Sequence, residues 1–410
     1  MMSSRSLQDL RTDMQEEFIR HEIESNKDYL VALRRHFHSH PELSRHEFET
    51  AKRIEQELES FGLSCTRVGE TGVYSEIHGD NPEGRTIVLR CDIDALPIEE
   101  QTGCEFRSQN KGVMHACGHD SHTASLLGAA KFLASHTDMF SGTVRLNFQQ
   151  AEEIGYGARL FVDGGYLDGA DRTFGIHVAP EIDAGKVSLT PGPNNASVDW
   201  FRITVKGKTA HISTPQKGVD ALFVASQIVV ASQSIPSRLF SPVDSLLIGI
   251  GKLDSGTAYN IVSDHAEMEG TIRAMTADSR SRAKEALETI SKSIAQSYGA
   301  EVSFEWKDFT SPLVNDEESS IEAQKVAARL LGSDNVITNR PISLGGDDFA
   351  EYIIKVPGVY GYVGSGSSKP ETRLPLHNEK VELDEDCMVV AASLHVAYAI
   401  NFLNGTIDRS

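Results

Sequence analysis

TIVLRCDID, residues 86–94, is the stretch whose reading decides the fold. Its first half is β-branched and apolar, so it reads as a buried strand, and its polar residues crowd the far end. Working outward, SHTASLLGAAKFLASH (121–136) reads as a helix, GTVRLNFQ (142–149) as a strand, GARLFVDGGY (157–166) as a helix ended by glycines, and TFGIHVA (173–179) as a strand. On the other side, DYLVALRRHF and HEFETAKRIEQELESF repeat apolar residues at helical spacing and are separated by HPEL (40–43). Strands and helices that alternate in this way build an α/β sheet with helices on both faces.

The pattern changes at TPGPNNAS (190–197), a hinge rich in Pro, Gly and Asn. Beyond it come the strand DWFRITVKG, a helix from 218 to about 235, the strands DSLLIGIGKLD and HAEMEGTIRAM, a helix over 279–297 and the strand EVSFEWKD. That order is a βαββαβ-like unit. A helix at 317–331 and an apolar terminal helix, DEDCMVVAASLHVAYAINFL, follow. The expected fold class is therefore α/β: a mixed-sheet α/β domain from 1–192 and 309–410, with a smaller α+β domain, 193–308, inserted. The glycines of GKLDSG and VGSGS read as turns, since neither precedes the GK[ST] of a phosphate loop.

Lys+Arg 39 against Asp+Glu 59 gives a net charge of −20, which argues against nucleic-acid or anionic-membrane partners. The five cysteines, at 65, 91, 104, 117 and 387, are odd in number, dispersed and without a CxxC pair. They read as reduced thiols of a cytoplasmic protein, not as a disulfide framework or a cysteine-rich structural zinc site. The opening MMSSRSLQDLRTDMQEEF has no apolar core of a signal peptide.

Residue types that bind metals gather at strand ends, where open α/β sheets place ligands: Asp92, HACGHD (115–120), Glu152–Glu153, His177 and His377. In an extended stretch residues two apart point the same way, so Cys117 and His119 can face one ion across Gly118. For an isolated cluster the alternative, a buried thiol and a helix-start histidine, stays open. In AEE, neighbouring carboxylates point to opposite sides. One can bind metal while the other serves as a base, the division that hydrolysis needs. HFHSH (36–40), at a helix end before a proline, is read as structural, and Asp120 and His122 as caps or supports for a ligand.

Along nearly the whole chain, RRHFHSHPELSRHEFET (34–50), RCDIDALPIEE (90–100), GVMHACGHDSHTA (112–124), FQQAEEIGYGA (148–158), VKGKTAHISTPQKGVDA (205–221), GGDDFAEY (345–352) and LPLHNEKVELDED (374–386) resemble the metal-dependent aminoacylase/carboxypeptidase superfamily. The branch is that of the amidohydrolases that include hippurate hydrolase, plant auxin-conjugate hydrolases and bacterial N-acyl-amino-acid deacylases. This resemblance implies a catalytic domain with an inserted lid and dimerisation domain. It also implies two divalent ions (zinc, manganese, cobalt or nickel) held by Cys117, His119, Glu153, His177 and His377. Hydrolysis of an N-acyl amino acid by a metal-bound hydroxide follows, with Glu152 as general base. Asp92 matches a ligand-orienting aspartate, although Arg90 stands where many members carry histidine. His211 would polarise the scissile carbonyl, from its own or a partner subunit, and Asn260 and Arg273 would hold the substrate carboxylate. Gln150, the GKTAHIS stretch and Asp347 depart from the commoner pattern and bear on specificity. A dipeptidase or carboxypeptidase of the same superfamily, and a catalytically silent binding protein, are the competing expectations.

Overall fold

A computed structural model describes residues 7–241 and 243–407. The first six residues, part of the N-terminal stretch read above, lie outside the described residues. By packing, the chain divides into two compact units: Met1–Gly192 with Val314–Pro341 and Glu351–Ser410, and Pro193–Leu313 with Ile342–Ala350.

The first unit is built on an eight-stranded sheet. Across it lie Cys65–Val68, Gly72–His78, Ser141–Gln149, Asn81–Asp92, Arg172–Asp183, Gly358–Gly366, Val187–Ser188 and Val336–Ile337. The central neighbours run parallel, Asn81–Asp92 with Ser141–Gln149 and Arg172–Asp183, and the last with Gly358–Gly366. Antiparallel pairs flank them, so the sheet is mixed, as the sequence implies. The central strands are apolar without alternation because both faces are covered. Helices His119–Ser135 and Cys387–Asn404 pack on each other and against the sheet. The second of these is long and apolar enough to cross a membrane, but 89% of it is buried inside the protein, which makes it a core helix.

One expectation is corrected here. VGSGS, read as a turn, lies mostly inside the fully buried strand Gly358–Gly366. A Cβ on Gly358 or Gly364 would collide with the backbone of Thr173 or Asp183 on the adjoining strand, so close strand approach selects glycine there.

The second unit carries a four-stranded antiparallel sheet in the order Leu246–Ser255, His265–Ala274, Val198–Lys206, Glu301–Thr310. Burial alternates strictly along Val198–Lys206, and Phe201, Ile203 and Val205 meet Val224, Ile228 and Leu287 of helices Ala221–Ser232 and Ala277–Ser297 in one core. The return to the first unit begins at Val314 rather than 309, and 342–350 packs with the second unit. Local contacts explain the latter: Ser343 bridges to Asn195, and the Thr310 hydroxyl donates to the Asp347 carbonyl at 2.8 Å.

Candidate metal centre

Asn81–Asp92 and Ser141–Gln149 are parallel neighbours, so the residues at and just beyond their ends meet on one edge of the first unit. After the second strand the backbone turns sharply, with Ala151 at φ 54°. Left-handed backbone at a non-glycine costs about 1–3 kcal/mol and persists only where its surroundings over-determine it. Here they do. The Ala151 N–H donates to Glu47 at 2.8 Å, and the Glu152 and Glu153 N–H groups each donate to one oxygen of Asp94 at 3.1 Å. Gly118, at φ 88°, leads into helix His119–Ser135. A Cβ there would stand 2.5 Å from the Val178 side chain, so the turn between Cys117 and His119 needs glycine. Gly118 also occupies the position before the helix, ahead of Asp120 and Ser121. His377 lies in a loop at φ 65°, its N–H donating to the Ala116 carbonyl at 2.8 Å.

These backbone devices bring seven residues named from the sequence together. Cys117 Sγ lies 3.4 Å from His177 Nε2, and His119 Nε2 lies 3.9 Å from Glu153 Oε1 and 4.0 Å from Glu152 Oε2. His377 Nε2 is 3.5 Å from Glu153 Oε2. Asp92 is buried beside them, 3.7 Å from His119 Nε2. Donor atoms of Cys117, His119 and His177, of Cys117, Glu153 and His377, and of His119, Glu152 and Glu153 form groups within 4.8 Å.

Hydrogen bonds fix which imidazole nitrogens are free. His119 Nδ1 donates to the Asp94 carbonyl at 2.9 Å, and His177 Nδ1 to the Val178 carbonyl at 2.8 Å. Each histidine therefore turns its Nε2 toward the cluster, the arrangement that prepares imidazole for a metal, which displaces any proton held there. His119 Nε2 and Glu153 Oε1 are buried without a hydrogen-bond partner. Orphaned polar atoms are costly, and a cation between them removes the cost. The donor set, one sulfur, imidazoles and a carboxylate, fits zinc or a similar divalent ion.

The electrostatics agree. Burial alone lowers the His119 imidazole, but Asp92, Asp94 and Glu153 push it up to about 10. Burial, with Glu153, Glu152 and Asp92 near it, holds the Cys117 thiol well above its ordinary value, so a thiolate forms there only beside a cation. Burial keeps His177 neutral, its pKa well below the usual value. Burial would raise Asp92, yet His119, Arg90 and His122 hold it well below the usual range.

The supporting residues were less visible in the sequence. His122 donates from Nδ1 to Asp92 at 2.6 Å and accepts the Val178 N–H on Nε2 at 2.9 Å. Both its nitrogens are committed, so it braces Asp92. Asp94, buried, also accepts from Ser44 at 2.6 Å. It lies two residues beyond Asp92 in an extended stretch and so shares its side, a spacing that could have flagged it. Asp120 faces away from this set, bonded to Arg34 and His38.

His211, Asn260 and Arg273 belong to the second unit. His211 pairs with Ile261 in a two-stranded ladder, and the Ile212 N–H donates to the Asn260 carbonyl at 3.0 Å. His211 Nδ1 accepts the Ser213 N–H at 3.2 Å, which leaves the ring proton on Nε2. Arg273 is half-buried, and its Nε donates to Thr271 Oγ1 at 3.1 Å. Burial lowers its pKa, against a weaker opposing pull from Asp199.

Residues 88–401 match the model of peptidase family M20/M25/M40. The chain is 38% identical to thermostable carboxypeptidase 2 of Saccharolobus solfataricus, over 95% of this chain and 99% of that protein. It is also 38% identical to N-acetyl-L-cysteine deacetylase of Bacillus subtilis, over 88% and 85%. Among solved structures it resembles the Bacillus subtilis YXEP protein, described as a dinuclear metal binding peptidase from the M20 family. The TM-score is 0.81 at 36% identity, covering 93% of this chain and 99% of that one.

Proposed function

The chain belongs to peptidase family M20/M25/M40 and is a metal-dependent amidohydrolase, and from that premise we propose that it cleaves the amide bond of N-acyl amino acids, with Glu152 carrying the proton. The observation that carries this reading is the buried donor set of Cys117, His119, Glu153 and His177, with orphaned donor atoms beside a second carboxylate.

When bound, two divalent ions would supply Lewis-acid polarisation of the amide and lower the pKa of the attacking water toward neutrality. Cys117, His119, Glu153, His177 and His377 would hold them, and Asp92, braced by Arg90 and His122, would orient the set. Glu152 takes the proton of the attacking water and returns it to the leaving amine. His211 donates from Nε2 to the oxygen that gains charge. Arg273 and Asn260 hold the substrate carboxylate, and guanidinium suits it because it binds carboxylate in bidentate fashion. The inserted unit serves as dimer interface, and the reduced thiols suit a cytoplasmic setting.

A dipeptidase or carboxypeptidase reading is favoured by the likeness to the thermostable carboxypeptidase. A panel of N-acetyl, N-benzoyl and longer-chain acyl amino acids beside dipeptides decides, each assayed with zinc, manganese, cobalt and nickel for released amine. Release from the acyl amino acids is expected. Cleavage of dipeptides alone, or of nothing with any metal, overturns the proposal.

A further inference from the structure

A second cluster of metal-binding side chains lies in the first unit, apart from the centre just described. His38 lies in the last turn of helix Lys27–Ser39, and Glu100 and Cys104 follow in the loop after Asp94. His38 Nε2 is 3.2 Å from Glu100 Oε1, and Cys104 Sγ is 3.6 Å from the same oxygen. All three donor atoms lie within 4.8 Å of one another.

These distances carry chemical information. Zinc binds nitrogen and oxygen at about 2.0–2.1 Å and sulfur at about 2.3 Å. Tetrahedral angles then place neighbouring nitrogen and oxygen ligands about 3.3 Å apart and neighbouring sulfur and oxygen about 3.6 Å apart. Two edges of the cluster, each now spanned by a hydrogen bond, have the lengths of a zinc tetrahedron, and the third, between His38 and Cys104, is below 4.8 Å. The support behind it is also in place. The Asp120 carboxylate accepts from His38 Nδ1 at 2.9 Å, the carboxylate–histidine pairing that aims Nε2 at an ion. The Ser108 N–H fixes the other oxygen of Glu100 at 2.6 Å. His38 and the Glu100 side chain are buried, while Cys104 is half-buried on the wall of a cavity of about 360 Å³ that gives an ion a way in. The nearby cations do not oppose it: Arg34 is paired with Asp120 and Glu385, and Arg35 with Glu385.

We propose that His38, Glu100 and Cys104 form a further divalent-cation site of zinc type, separate from the candidate catalytic centre, with the fourth position open to the cavity or taken by Thr102, whose hydroxyl lies 3.2 Å from Cys104 Sγ. Without an ion, a proton takes its place. Burial lowers the His38 imidazole, but hydrogen bonds with Asp120, Cys104 and Glu100 hold it well above its ordinary value. Binding of a divalent ion expels that Nε2 proton and the Cys104 thiol proton to solvent, so two protons leave for each ion.

Reduced protein is saturated with zinc, freed of excess by gel filtration and assayed for bound zinc, beside the Cys104→Ala variant. The wild type is expected to hold one more zinc per chain. On the wild type alone, iodoacetamide alkylation of Cys104, followed by peptide mass, is expected to slow at least ~10-fold when zinc is present. The Cys117→Ala variant keeps this protection, which separates the site from the catalytic reading. Equal zinc content in wild type and Cys104→Ala, or alkylation of Cys104 indifferent to zinc, overturns the proposal.

Discussion

Replacing Glu152 by glutamine keeps the volume and removes the basicity. Turnover should fall by ~10²–10⁴ while metal content, read by elemental analysis, stays as in the wild type; unchanged turnover rejects Glu152 as the base. Glu47 supplies a pH signature. It is fully buried, and burial together with the Asp94 charge raises its carboxyl to about 7. A raised folded-state value means the native state binds its proton more tightly than the unfolded chain does. Its contribution is present below the ordinary carboxylate range and is lost as pH rises through about 7. The gap in unfolding free energy between wild type and Glu47→Gln, read from denaturant melts, should therefore shrink from pH 5 to pH 8, by roughly 3 kcal/mol at most. A gap that stays constant or widens over that interval would show that the folded protein does not raise the Glu47 carboxyl. At this scale the sequence is informative about donors and silent about their supports. Cys117 and His119 stand out because thiol, imidazole and glycine fall within six residues. Asp94 shares the side of Asp92 two residues on, but nothing in that spacing announces that its oxygens will accept the N–H groups of Glu152 and Glu153.

The turn that carries Glu152 and Glu153 is an element made by its surroundings, since the positive φ of Ala151 gains nothing from local propensity. Asp94 holds both of the following N–H groups. Asp94→Asn replaces one acceptor oxygen with a donor. Metal affinity or turnover should drop ~10–100-fold, with far-UV circular dichroism unchanged. Full affinity in that variant would mean the turn is set by Glu47 alone. Long helices and alternating strands were legible because their periods are intrinsic to the chain. Gly358–Gly366 was not: glycine is disfavoured in strands, and what places it there is the neighbouring backbone, invisible from local pattern. HFHSH was read as structural, and the geometry around His38 now gives that stretch a chemical candidate.

For the whole molecule, the ions are a source of stability as well as chemistry. Removing them with a chelator leaves buried donor atoms, among them His119 Nε2 and Glu153 Oε1, without the cation that satisfies them, so melting temperature and turnover should fall together and recover on adding metal back. At a free metal concentration one hundred times the dissociation constant, one site contributes about 2.7 kcal/mol. A chelated protein with an unmoved melting temperature would contradict this. The two-unit plan was visible in the change of pattern near residue 190, whereas the return of 342–350 to the second unit rests on tertiary contacts that no linear reading supplies. The sheet order has a further result for biosynthesis. Strand Gly358–Gly366 slots between Arg172–Asp183 and Val187–Ser188, although the ribosome makes it about 170 residues later. The nascent first unit must wait with a gap beside its central strand while the second unit is made and folds. His377 emerges later still, so the full set of donors can close on an ion only after Gly358–Gly366 has been made, by which time most of the scaffold that selects the ion has left the ribosome.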